Sequence, residues 1–286
     1  MNQYQSAGQL LHGAVISVPL LGTFNSERHN PRYMPQPSNT TLRSVNISCE
    51  IIEELKASTG IGVTDLSERL DHSKSTIHDH LDTLQQNRIV VRKDQKYQLS
   101  IHLLGIAGHV RDQFGNYDVV RKGIDELAEE VGQNVQFGIE EHGEVYYYYK
   151  QQGAQGVDTV SRVGESQPMH STSLGKTILA HLPEERVHAI LDRHGMPAKT
   201  EHTITNRDDL FNELDEIAER GYAIDDEENL RGLRCVAAPV QSNEDVFGAV
   251  SVSGPSNRMS DETITDEIVD EVKSTANVIE INTRYG

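Results

Sequence analysis

The spacing of apolar positions changes character several times along the chain, and each change marks an element. Residues 1–40 mix Asn, Pro, Gly and Ser without a period, which predicts a disordered N-terminal extension. From about Val45 to Ser58, Ile51, Ile52 and Leu55 recur at helical spacing and predict a first helix. Leu66 and Leu70 repeat that spacing in a second, for which Thr64 is the candidate N-cap. Asp71-His72 turns the chain, and Ser73 is placed to cap a third helix reaching Gln86. There Ile77, Leu81 and Leu84 form an i, i+4, i+7 stripe that must be buried. The opposite face carries Ser75, Asp79 and Asp82, flanked by Lys74, Thr76 and His78. Two strand-like runs follow, Ile89 to Arg92 and Lys96 to Leu99, around Lys93-Asp94-Gln95. Short helices followed by a small hairpin are the order of a winged helix-turn-helix, a DNA-reading device. Residues 41–100 are predicted to form it. The candidate DNA contacts are Ser73, Lys74, Ser75, Thr76, His78 and Asp79 on the helix, and Arg92, Lys93 and Lys96 on a wing near the phosphates.

Past the wing, Ile101 to Ala107 continues into Val110 and Phe114 and reads as an apolar-faced linker helix over residues 101–117, a dimer contact or domain bridge broken by Gly115-Asn116. Residues 118–286 then alternate helical and strand-like runs. A helix near Asp118 to Val131 is followed by strands Val135 to Glu140 and Glu144 to Lys150, joined by a His142-Gly143 turn. In the run Tyr146 to Tyr149, alternate tyrosines are expected on opposite faces of a structural strand. Helices near Ser173–Leu182, Pro183–Arg193 and Asp208–Arg220 precede strands near Tyr222–Asp225, Arg234–Pro239 and Gly248–Val252, and a last helix runs from about Asp261 to Ile281. Hairpin signals in place of βαβ repeats predict an α+β fold around an antiparallel sheet.

Charge refines this division. The net charge of −18 disfavours phosphate contact as it stands. However, residues 41–113 carry 9 Lys+Arg against 10 Asp+Glu, whereas residues 114–286 carry 15 against 33. The acid surplus therefore lies outside the DNA module. Lysine is scarce, 9 against 17 arginines, a composition like that of proteins from salt-loving organisms, with an acidic mesophile protein as the alternative. Strong screening would shift DNA specificity toward base edges and shape. Cys49 and Cys235 imply neither a disulfide framework nor a zinc ribbon. No 18-residue apolar run predicts a membrane span, and no basic residue precedes the apolar run 14–21, so a signal peptide is not expected. The chain is expected to be cytoplasmic. Met34, just ahead of the first helix, leaves open a later start site.

On these residues the chain resembles the IclR family of transcription regulators from about Leu42 onward. The resemblance rests on Ser73-Lys74-Ser75-Thr76-Ile77-His78 with Leu81, Thr83-Leu84 and Tyr97-Gln98-Leu99, and on three later blocks. These are Pro168 to Lys176, Gly221 to Pro239, and Ser251-Val252-Ser253-Gly254-Pro255. The resemblance implies a C-terminal GAF-like domain that binds a small-molecule effector, often an organic acid, and a homodimer or homotetramer on a palindromic operator. By family analogy the effector-binding residues are Ser173, Leu174, Asp225, Leu233, Cys235, Ser251 and Ser253. The chemistry suits a carboxylate. Ser173 and Leu174 fall where a helix begins with free N–H groups, and Ser251 and Ser253 point to one face of a strand. Asp225 would accept from a ligand hydroxyl, or orient it when protonated. The chain departs from the family in carrying Asp79 where Arg is usual and Asn87 where Gly is usual. Ser173 replaces a smaller residue, and Thr159 and Gln167 fall in a loop that is often apolar. These changes point to a hydroxylated acid or sugar-derived ligand. An Asp at position 79 is suited to accept from a cytosine amino group.

Rival classes remain to be tested. His170 to Thr177 nearly spells the phosphate-binding G-x-x-x-x-G-K-[ST], but the first glycine is missing. Asp225-Asp226-Glu227-Glu228 reads as a strand end and solvated turn, not a metal site, and His78 and His80 are spaced wrongly to share a metal. No catalytic residue, metal or cofactor is expected. The alternatives are a GAF-like enzyme using Cys235 redox chemistry, and a DNA-binding protein switched by a protein partner.

Overall fold

The computed structural model describes residues 41–158, 161–242 and 245–285; the extension predicted for residues 1–40, and Thr159, lie outside the described residues. The chain begins with α1 (Arg43–Lys56), α2 (Val63–Leu70), α3 (Lys74–Gln86), β1 (Val90–Lys93) and β2 (Lys96–Leu99). Ile51, Leu66, Ile77, Leu81 and Tyr97 close one apolar core between them. Ser73 caps α3 by accepting the Thr76 N–H at 3.1 Å. Thr64 does not cap α2, because Ile61 is held extended by paired backbone bonds to Tyr97 (3.1 and 2.9 Å), so the helix starts directly after Gly62. Asp94 and Gln95 take φ values of 47° and 67°, the left-handed pair that lets a two-residue loop follow the twist of its strands.

Next comes α4 (His102–Gln113), which buries no residue and leaves Ile101, Leu104, Ile106 and Val110 exposed. The remainder comprises α5 (Tyr117–Val131), β3 (Asn134–Glu141), β4 (Glu144–Gln151), β5 (Ser166–Pro168), α6 (Ser173–Leu179), α7 (Glu184–His194), α8 (Arg207–Arg220), β6 (Ala223–Asp226), β7 (Leu233–Ser242), β8 (Asp245–Pro255), α9 (Asp261–Thr263), a π-helical turn (Ile264–Ile268) and α10 (Val269–Tyr285). The six strands pair antiparallel throughout in the order β5-β4-β3-β8-β7-β6, so the expected α+β class holds.

The two-residue period of the strands sorts their side chains between two layers. Val135, Phe137, Val236, Val250 and Val252 face the core shared with α5 and α10. Ala223, Ala237 and Ala249 face α6, α7 and α8. These small residues let α6 lie close on the sheet, and every one of its residues is buried. Gly175 is required there, since a Cβ would lie 2.3 Å from the Met169 carbonyl oxygen.

Besides the Thr64 cap, three expectations about elements need correction. Alternate tyrosines do not simply take opposite faces: a bulge shifts the β3–β4 register between Phe137 and Gly138. Tyr147 therefore faces the α6 layer, while Tyr148 and Tyr149 both pack on the α5 layer. Gln167 sits on β5, too short and too polar to show a period, and not in a loop. The last helix is interrupted by the π-helical turn, which side-chain spacing did not reveal.

Candidate functional site

The exposed side of α3 is the candidate DNA-reading face. Lys74, Ser75, His78 and Asp79 are exposed on it, with Asp79 one turn beyond Ser75. Ser73 is held by its cap and bonds the Thr76 hydroxyl at 2.8 Å, so Ser73 and the half-buried Thr76 fix the start of the helix. His78 lies 3.3 Å from Asp82 across one turn. On the wing, Lys93 and Lys96 are exposed cross-strand partners. Arg92 instead bonds Gln95 and lies 5.7 Å from the Tyr97 ring centre.

The second site is a cavity of about 280 Å³ between the sheet and the start of α6. All seven residues named from the family resemblance line it. Strand periodicity explains the convergence: Ser251 and Ser253 on β8, Leu233 and Cys235 on β7, and Asp225 on β6 continue the face on which Ala249, Ala237 and Ala223 lie deeper under α6. Ser173 and Leu174 close it from above, where Thr172 caps α6 through the Gly175 N–H at 3.0 Å.

Sequence reasoning missed several lining residues, and Gln136 matters most. Its amide donates to Ser253 Oγ at 2.8 Å and accepts from Ser251 Oγ at 2.9 Å. That fixes both hydroxyls and leaves the Ser253 proton for another acceptor. The signal was present, as a polar residue at an inward position between Val135 and Phe137. Tyr147 also lines the cavity, and burial pushes its phenol pKa up. At the rim, Asn229 donates to Gln167 at 3.4 Å, and exposed Lys199 lies in a loop without any sequence pattern.

The acidic run is a strand end, as expected, but solvated only in part: Asp226 is exposed, whereas Asp225 and Glu228 are not. Asp225 is 2 % exposed and Glu228 5 %. Asp225 Oδ1 accepts the backbone N–H groups of Glu228 (2.7 Å) and Asn229 (3.3 Å), which folds the chain back over the strand end. Lys176, from the P-loop-like stretch, is buried and donates to Glu228, with Glu213 at 3.6 Å. Its charge is thus spent inside the protein, and the resemblance to a phosphate loop carries no phosphate site. Burial raises the Glu228 carboxyl above its usual range against the pull of Lys176. Burial and the Glu228 charge push Asp225 up to about 7. Cys235 is pushed up by burial and by the Asp225 carboxyl that it hydrogen-bonds, so it is a poor nucleophile. Among the described residues no group of His, Cys, Asp or Glu is arranged to hold a metal, and no helix is long and apolar enough to cross a membrane.

A winged DNA reader joined to an α+β domain with a polar cavity defines a transcription regulator that responds to small molecules. The chain belongs to the IclR family. Residues 44–94 match the IclR helix-turn-helix domain and residues 116–281 the bacterial transcriptional regulator IclR C-terminal domain. It is 33% identical over 245 residues to the probable HTH-type transcriptional regulator ArcR of Halobacterium salinarum, covering 84% of this chain and 93% of that protein. The crystal structure of the Thermotoga maritima IclR aligns at a TM-score of 0.70 and 30% identity over 84% of this chain and 96% of the other. An IclR homologue from Microbacterium hydrocarbonoxydans, complexed with 4-hydroxybenzoate, shares the fold at a TM-score of 0.74 and 22% identity, over 85% of this chain and 100% of the other.

Proposed function

We propose that this regulator binds a palindromic operator as a homodimer or homotetramer through α3, and that a small hydroxylated carboxylate in the cavity modulates that binding. Residues 41–100 read DNA, residues 101–117 link, and residues 118–286 sense. The observation that carries the effector reading is the convergence of seven separated residues, with Gln136, on one cavity. An aromatic acid occupies the Microbacterium homologue. Here the lining serines, Gln136 and Asp225 supply more polar partners than an aromatic ring satisfies, which favours an aliphatic hydroxy acid or sugar-derived acid. The DNA reading is supported by the exposed Lys74, Ser75, His78 and Asp79, with Lys93 and Lys96 on the wing. Two α3 helices in a dimer would lie one DNA turn apart, roughly 34 Å. The exposed apolar residues of α4 favour it as the contact between copies. We read the molecule as a cytoplasmic regulator without catalysis: Cys235 has a raised pKa, and Cys49, the only other thiol, lies on α1.

A thermal-shift panel with glycerate, gluconate and 4-hydroxybenzoate, followed by footprinting of the gene's own upstream region with and without the best binder, tests this. Stabilisation by a hydroxy acid and a ligand-dependent footprint are expected. Stabilisation by the aromatic acid alone would refute the polar ligand class, and a footprint indifferent to every acid would favour a protein partner as the switch.

A further inference from the structure

The cavity poses an electrostatic problem for the ligand just proposed. The ionisable groups facing Asp225 are Lys176 from α6, Glu228 from the following turn, Cys235 from β7 and Tyr147 from β4. Beyond them, Glu213 on α8 bears on Lys176 at 3.6 Å, and the exposed Lys199 stands at the rim. Lys176 is the one buried lysine among the described residues and is already bonded to Glu228. A carboxylate entering 280 Å³ beside Asp225 and Glu228 would therefore put three like charges around one committed cation. Like charges beside carboxyls as buried as those of Asp225 and Glu228 disfavour joint ionisation strongly.

We propose that the cavity takes up its carboxylate effector together with one proton from solvent, and that Asp225 is the group that receives it. This rests on the effector reading above. No other bond changes: Asp225 passes from carboxylate to carboxylic acid, and the effector remains an anion. The geometry favours Asp225 over Glu228. Glu228 is held by Lys176, which favours its charged form. Asp225 lines the cavity, and one of its oxygens is occupied by two backbone N–H groups. Protonation turns the carboxyl into a donor toward the ligand, beside the Ser253 hydroxyl that Gln136 leaves free to donate. A free-state pKa of about 7 makes that proton available near neutrality.

The sign follows from linkage. Binding that takes up a proton weakens as pH rises through the free-state pKa, by up to about tenfold in apparent Kd per pH unit above neutrality. Titration calorimetry of the full chain at about pH 8, in phosphate and in Tris, counts the protons through the two buffers' different ionisation heats. The probe is whichever of glycerate, gluconate and 4-hydroxybenzoate binds most tightly. We expect close to one proton taken up by the parent protein, and less by Glu228→Gln, in which the third like charge is gone and Lys176 is freed toward Asp225. Asp225→Asn, which keeps the acceptor oxygen that the two N–H groups need, should bind the acid at least as tightly at pH 8 with no uptake. Binding by the parent protein without proton uptake overturns the inference and leaves the effector reading standing. Uptake that survives in Asp225→Asn assigns the proton elsewhere and overturns it too. Should Asp225→Asn not fold, the parent protein's apparent Kd between about pH 6 and pH 9 still decides: a Kd that does not weaken as pH rises through about 7 overturns the inference. If no acid binds the parent protein, the effector reading fails first, and this inference with it.

Discussion

Two helices of this chain begin in nearly the same way and end in opposite surroundings. The helix α3 starts at a hydroxyl cap, Ser73, and opens with Lys74 and Ser75; α6 starts at a hydroxyl cap, Thr172, and opens with Ser173, with Lys176 three residues on. The first buries only its Ile77, Leu81 and Leu84 stripe and turns its polar side outward, whereas the second has no outward side. What lies beneath them makes the difference. Under α3 is a small core reached by one stripe, and under α6 is a sheet face paved with Ala223, Ala237 and Ala249. The same residue types thus become a reading edge in one place and the roof of a chamber in the other.

The sharpest way to break this comparison is to remove each lysine. Lys176→Met leaves Glu228 buried without its cation and should cost about 3–5 kcal/mol, measured by urea unfolding at pH 7. Part of the loss should return in acid, where Glu228, whose pKa is raised, becomes neutral. Lys74→Ala should stay within about 0.5 kcal/mol in the same assay. A loss of equal size at both positions would contradict the assignment of one lysine to the interior and one to the surface. Next in size, Ser73→Ala removes the α3 cap at a cost of about 1 kcal/mol, and should weaken DNA binding by disordering the first turn of the helix. Unchanged stability would mean that the cap bond contributes nothing. The smallest effect belongs to the wing. Lys93→Ala and Lys96→Ala should leave the melting temperature nearly unchanged, yet each should lower the slope of log affinity against log salt by about 1 if it meets a phosphate. An unaltered slope would remove that residue from the interface.

These contrasts also show where the sequence was legible. Stripes and turn residues placed α3, the wing and most of the sheet, because periodic burial writes itself into residue order: Ile77, Leu81 and Leu84 have one reading. Seven cavity residues came through the family resemblance, and their gathering follows from strand periodicity once the register is known. What stayed hidden depends on long-range approach. The burial of Asp225, Glu228 and Lys176 follows from contacts between residues about fifty positions apart, and hydrophilic letters read in isolation suggest solvent. Gln136 showed as a polar residue between two apolar strand positions, but its partners lie more than a hundred residues away and left its role unread.

The irregularity in β4 has a spatial consequence. Ordinary alternation turns Tyr147 to the chamber and its neighbour Tyr148 the other way, and the extra residue squeezed into that strand adds Tyr149 to the side of Tyr148, whose hydroxyl donates to the Arg111 carbonyl at 3.2 Å and whose ring lies 5.3 Å from Phe114. The wall of the proposed effector cavity is thus one residue away from a ring packed on the final turn of the helix that leads back to the DNA reader.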